Sequence, residues 1–166
     1  MIAQSPWRRD AELIAKQERI DHELDRFRDE ARPDLAALPR EIAEILRFVH
    51  NHLFDSALNV AAARRSCGLR NNNVSTAFRV AVGVGLREYI ETLRLRAAER
   101  LLRDGGLEVY LVAMAVGYDH LETFCRAFQR RFGYTSSHHR KAEMAGEAVA
   151  AAQKEIQAYL QEAASL

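Results

Sequence analysis

Gly117-Tyr-Asp-His-Leu-Glu-Thr-Phe-Cys-Arg-Ala-Phe-Gln-Arg-Arg-Phe-Gly133 repeats in outline an earlier stretch, Gly68-Leu-Arg-Asn-Asn-Asn-Val-Ser-Thr-Ala-Phe-Arg-Val-Ala-Val-Gly83. Each copy has a short helix-forming run before its first Gly. Each continues as an apolar-periodic run that a second Gly closes, so the pattern predicts helix, tight turn, helix, twice over. One helix-turn-helix reads one stretch of major groove, and a pair predicts a protein built to read DNA.

Working outward, the first unit is expected at Leu58–Ser66, with a turn at Cys67-Gly68-Leu69 and a second helix from about Asn71 to Val82. The second unit is expected at Glu108–Val116, with a turn at Gly117-Tyr118-Asp119 and a helix from about His120 to Phe132. Between them, Leu86, Ile90, Leu93, Ala97 and Leu101 keep a helical period through Leu86–Asp104, and Gly105-Gly106 stops it. Such a rod is roughly 28 Å long at 1.5 Å per residue. Successive turns of one DNA face lie ~34 Å apart, so it suits two heads in consecutive major grooves.

A further helix should start at Pro39 or Arg40, burying Ile42, Ile45, Leu46, Val49 and Leu53. Residues 8–30 read as an amphipathic helix with Leu13, Ile20, Leu24 and Phe27 on its apolar face, ended by the prolines of 32–34 and 38–40. The tail from Ala142 carries Ala145, Val149, Ala152, Ile156, Tyr159 and Ala163 in a heptad-like seam. These flanking seams point to a helical hairpin within one chain or a homodimer contact between two. The expected fold is all-α: two helix-turn-helix subdomains joined by a long linker helix, with extra N- and C-terminal helices. Its expected divisions are 1–39, 40–141 and 142–166.

The net charge of +1 conceals a segregation. Residues 40–141 hold 16 Lys/Arg against 10 Asp/Glu, whereas residues 1–39 hold 7 against 9 and residues 142–166 hold 1 against 4. Positive charge is confined to the repeated segment, where phosphate binding needs it, although a soluble surface alone accounts for an excess of this size. No apolar run approaches the ~20 residues that span a bilayer. The N-terminus lacks a signal-peptide apolar region, so a cytoplasmic location is expected.

Cys67 and Cys125 form no Cys-x-x-Cys pair and read as packing residues. His138-His139 and His50-x-His52 lack the partners of a metal ligand set. No phosphate loop or nucleophile motif is present, so neither enzyme activity nor a cofactor is expected. Phe78, Phe124, Phe128 and Phe132 fall at helical spacing and read as core, not as a base-stacking platform.

Three stretches match a known family in order and spacing: Tyr89-Ile-Glu-Thr-Leu-Arg-Leu-Arg-Ala-Ala-Glu-Arg-Leu-Leu102, Val112-Ala-Met-Ala-Val-Gly-Tyr118, and Phe124-Cys-Arg-Ala-Phe-Gln-Arg-Arg-Phe-Gly133. Over residues 40–141, about three-fifths of its length, the chain resembles the arabinose-regulator (AraC/XylS) type of bacterial transcription factor. The resemblance implies an all-helical domain whose two recognition helices enter adjacent major grooves of an asymmetric site, often bending the DNA. It implies double-stranded DNA as partner, with RNA polymerase as a further contact.

Mapped here, the first recognition helix offers Asn71, Asn72, Ser75, Thr76 and Arg79, and the second His120, Leu121, Glu122, Thr123, Arg126 and Arg130. Of these, Asn72, Ser75, Thr76, Leu121, Glu122, Thr123 and Arg126 match the family's usual base readers. The chemistry suits those roles: Arg126 for a guanine edge, Asn72 for adenine, Thr123 for a thymine methyl. Asn71 reads better as a helix cap. Glu122 suits a cytosine amino group, but pairing with Arg126 one turn on, and so orienting it, is the preferred reading. Arg79, Arg130 and Arg131 look like phosphate contacts, which position without specifying.

There are departures. Arg64 stands where the second unit has Ala113, Ser136 replaces a usual proline and His139 a usual tyrosine. The family's ligand-binding β-barrel is not expected, because the forty N-terminal residues read as helix. Arg64, an arginine-poor first reading face and the near-neutral total charge support a rival reading: a helical interaction adaptor or anti-regulator that has lost specific DNA binding.

Overall fold

The structure, a computed structural model, describes residues 6–68, 73–138 and 141, so the expected helix in the tail lies outside the described residues. The described elements are α1 (Pro6–Glu30), α2 (Arg40–Asn51), α3 (Val60–Ser66), α4 (Asn73–Val82), α5 (Leu86–Leu102), α6 (Val109–Ala115) and α7 (Leu121–Phe132). α3 and α4 form the first helix-turn-helix, α6 and α7 the second, with α5 the rod between them. The paired glycines confirm the repeat in backbone terms: Gly68, Gly83, Gly117 and Gly133 all have positive φ, at the turn and the helix end of each unit.

α2 begins at Arg40 behind Pro39, whose fixed φ of −53° suits the helix entry. Ile42, Ile45, Leu46 and Val49 are buried along it, and Leu53, also buried, lies in the turn beyond its end at Asn51. α5 ends at Leu102, two residues earlier than the Gly pair suggested, and is about 26 Å long. The physical reason is Asp104, whose Oδ1 accepts from the Gly106 backbone N–H at 3.0 Å and turns the chain before the glycines are reached. α5 buries more than one stripe, since Leu95, Ala98 and Leu102 join the five expected residues in the core.

α1 is part of the same body. Ile20, Leu24 and Phe27 are buried in one core with α2 and α5. Along the seam Lys16 pairs with Glu108 (2.8 Å), Arg19 with Asp104 (2.7 Å), and Arg100 with Glu23 and Glu30 (2.7 and 2.6 Å). The partners run in opposite order, so α1 and α5 are antiparallel. These partly exposed pairs set register and contribute little each. The three buried side chains contribute about 1.5–3 kcal/mol apiece. Leu13 departs from expectation: it is 55% exposed, with Ile14 beside it at 59%, because the longer α1 docks by its second half and its first half overhangs.

Two polar side chains, Ser136 and His50, are buried. Ser136, at the place of a usual proline, is buried with its Oγ 3.8 Å from the Cys125 Sγ. His50 is 4% exposed, with Nε2 2.7 Å from the Tyr89 hydroxyl and no partner for Nδ1 among the described residues. Burial, then the nearby Arg32 and Arg28 cations, push the His50 pKa below its ordinary 6.5, while burial raises the Tyr89 phenol to about 12. A folded-state pKa below the unfolded one means that the unfolded chain takes up the proton first. Stability is therefore full above about pH 6.5 and falls as pH drops below it. Urea-unfolding midpoints at neutral and mildly acidic pH will show this decline, and His50→Gln will flatten it.

Candidate nucleic-acid interface

Each unit presents its second helix by burying one face and exposing the other. In α4, Val74 and Phe78 are buried, and Ser75, Thr76 and Arg79 are exposed on the opposite side. Asn71 and Asn72 lie outside the described residues. Val80 is 82% exposed on α4, and an isolated valine off the apolar stripe carries no periodic signal in the sequence. In α7, Phe124, Ala127 and Phe128 are buried, which turns Glu122, Thr123, Arg126 and Arg130 outward by the same period. Leu121 opens α7 at 38% exposure, and His120 is an exposed N-cap residue outside the helix it was expected to begin.

Both helices of the first unit, α3 and α4, form despite Arg64. Asn59 caps α3, its Oδ1 accepting from the Ala62 N–H at 2.9 Å, so that helix starts at Val60, after the expected Leu58. Ala63 is the residue wedged fully into the core, and Arg64 beside it is half-buried. In α6 both Val112 and Ala113 are buried.

Two arginines of the reading helix are held by carboxylates. Arg126 forms an ion pair with Glu122 one turn back on an exposed face, the orienting arrangement preferred from sequence. Arg130 bonds Glu91 of α5 at 2.7 Å, tying the second reading helix to the rod. That contact spans 39 residues and has no sequence signature.

The residue that decides how the two units sit is Arg94 of α5, which lies in the quoted linker motif but drew no role from it. It is 8% exposed. Its Nε donates to the Leu53 carbonyl at 2.8 Å, Nη1 to Gly117 at 3.1 Å, and Nη2 to Asp55 at 2.6 Å and Leu58 at 3.4 Å. One guanidinium thus joins the loop before the first unit to the turn of the second. Burial pushes its pKa down, yet an arginine stays charged, and the four carbonyl dipoles replace its lost hydration. Gly117 makes this possible, because a Cβ there would lie 2.9 Å from both the Phe54 carbonyl oxygen and the Arg94 guanidinium carbon. Between the units runs a cleft of about 390 Å³ walled by Asn59, Val60, Arg87, Glu91, Tyr118 and Thr123. Two helices with outward-facing polar side chains, α4 and α7, are thus joined through a shared rod.

A family profile described as "Helix-turn-helix domain" matches residues 63–142. The chain is 30% identical over 99 residues to the regulatory protein SoxS of Salmonella typhimurium, covering 60% of this chain and 92% of that protein. The chain belongs to the AraC/XylS family of transcriptional regulators. It is also 25% identical over 103 residues to the arabinose operon regulatory protein of Escherichia coli K12, covering 62% of this chain and 35% of that protein. Against the F1 operon positive regulatory protein of Yersinia pestis it is 26% identical, spanning 33% of that relative's length.

In fold, this AraC/XylS-type regulator resembles the C-terminal domain of AraT, a response regulator from Geobacillus stearothermophilus (TM-score 0.61, 20% identity, 64% of this chain and 88% of that one). It also resembles a DNA-binding transcriptional dual regulator from Escherichia coli K-12 (TM-score 0.54, 16% identity, 66% of this chain and 96% of that one). The family is one of sequence-specific DNA-binding transcriptional regulators and not an enzyme class. Among the described residues, no helix is long and apolar enough to cross a membrane.

Proposed function

We propose that this regulator reads an asymmetric duplex site with α4 and α7 in adjacent major grooves. Residues 40–141 are the reading body, residues 1–39 its brace and residues 142–166 an appended tail. Ser75 and Thr76 face one groove, with Asn71 and Asn72 as further DNA contacts proposed from the sequence alone. Leu121, Glu122, Thr123 and Arg126 face the other, with His120 at its edge. Arg79 and Arg130 hold phosphates, Arg130 exchanging Glu91 for the DNA backbone. The observation that carries this reading is the simultaneous outward presentation of both helices on one locked frame. The rod, about 26 Å long, suits two heads in consecutive major grooves, whose repeat along one DNA face is ~34 Å. Contact with RNA polymerase, a cytoplasmic location and homodimerisation through the terminal helices complete the proposal. The dimer would use the overhanging end of α1, since Ile20, Leu24 and Phe27 are already buried.

Selection of bound duplexes from a random pool, followed by salt titration of the winner, tests it. The expected winner is an asymmetric site spanning two major grooves, with log K falling by about 0.9 per neutralised phosphate against log salt. Arg126→Ala will relax one half of that site, losing about 1–3 kcal/mol of base discrimination. Glu122→Gln will cost less, about 0.2–0.5 kcal/mol, because it only frees Arg126 from its tether. No enrichment and a flat salt response would overturn the proposal and leave the adaptor reading.

A further inference from the structure

On the flank of the molecule, the α1–α2 linker and α2 enclose a cleft of about 310 Å³. Arg32 from the linker and Arg47 and Asn51 from α2 line it, Leu35 and Leu46 supply apolar wall, and His50 closes it. His50 is the buried imidazole whose Nδ1 lacks a partner among the described residues, and the Nε of nearby Arg28 lacks one too. Arg47 has no ion pair among the described residues, whereas Arg32 pairs with Asp29 at 3.3 Å through side chains that are both largely exposed, and Arg28 pairs with Asp25 at 3.3 Å. A cleft with two guanidiniums from different elements, an amide and an unsatisfied buried ring suits a planar or tetrahedral anion, which guanidinium forks bind bidentately. The apolar wall suits an organic body behind that anion, and the volume lies at the small end of ligand pockets.

We propose that this cleft is an effector site for a small organic anion, a phosphate or carboxylate head on an apolar body. Its position provides a route to the reading surface. His50 bonds Tyr89 of α5, and Tyr89 packs edge-on against Phe78 of α4 at 5.8 Å between ring centroids. An occupant that closes the linker onto α2 and orders His50 therefore bears on the helix that carries the first reading face.

The test is an NMR titration of the full chain, without DNA, that follows the His50 imidazole resonances. Phenyl phosphate is the probe, with phenol and inorganic phosphate as the two halves of its chemistry. Saturable shifts with phenyl phosphate in the millimolar range or tighter are expected, weaker with inorganic phosphate and absent with phenol. Arg47→Gln and Arg32→Gln, both at exposed side chains, will each weaken phenyl phosphate by about tenfold while leaving the fold intact. No saturable shift, or shifts that both variants leave unchanged, would overturn the proposal. In a separate titration, a His50 response to duplex DNA with none to phenyl phosphate would also overturn it, assigning the cleft to backbone phosphate. Because the titration contains no DNA, its failure is separate from failure of the two-groove reading.

Discussion

Arg94→Met will lower stability by about 4 kcal/mol. The side chain's four carbonyl partners, on Leu53, Asp55, Leu58 and Gly117, belong to loops that helix hydrogen bonding does not serve. A hydrogen bond to a charged group contributes about 1.5–3 kcal/mol, and water reaching the Asp55 end recovers part of the sum. For a chain of this size the thermal midpoint will drop by roughly 10–15 °C. Arg94→Lys will recover less than half of this, since an ammonium cannot fork across carbonyls on both sides. Urea unfolding of the three proteins measures the order directly. Wild-type stability in Arg94→Met would show that the units are held together by the apolar core alone. Below the unfolding transition, the variant will also bind its two-groove site less tightly than the wild type does, because the heads are no longer locked.

Gly117→Ala will cost about 3 kcal/mol or more, from two separable sources. The backbone φ of +91° is unfavourable for any residue with a Cβ, and that Cβ would also press on the Phe54 carbonyl and the Arg94 guanidinium. Gly133 is the control, with φ of +80° and nothing within 4 Å of its Cβ position. Gly133→Ala will therefore cost only about 1–2 kcal/mol, the backbone share. The carbonyl cannot retreat without losing its loop, whereas the guanidinium is at the end of a flexible chain. Combined with Arg94→Met, Gly117→Ala will thus cost less than it does alone, a coupling that a double-mutant cycle in urea resolves. Equal costs at the two glycines would mean that close approach plays no part, and that the second unit's turn is set by φ alone.

The repeat, the helices and the split between buried and outward residues were legible in the sequence. The apolar set Ile42, Ile45, Leu46, Val49 and Leu53, or Phe124 and Phe128 with the outward Glu122, Thr123 and Arg126, follows from the 3.6-residue period alone. So do the turns, because a glycine's left-handed conformation is a local preference. The Glu122–Arg126 pair was readable for the same reason, its partners being one turn apart.

Other features depend on residues far apart in the chain, and only the tertiary structure decided them. Arg94 looked like one more charge on a helix, yet its carbonyl partners lie between 23 and 41 residues away and convert it into the joint between the units. Leu13 fits the apolar stripe of α1 as well as Ile20 does, but only the second half of that helix meets α5. Arg130 gains Glu91, and His50 gains Tyr89, Arg32 of the linker and Arg28 of α1, by the same folding together of distant segments. Local periodicity determines which face of a helix is apolar. What a buried charge or an exposed hydrophobe meets there is set by packing, and no stretch of contiguous residues contains that information.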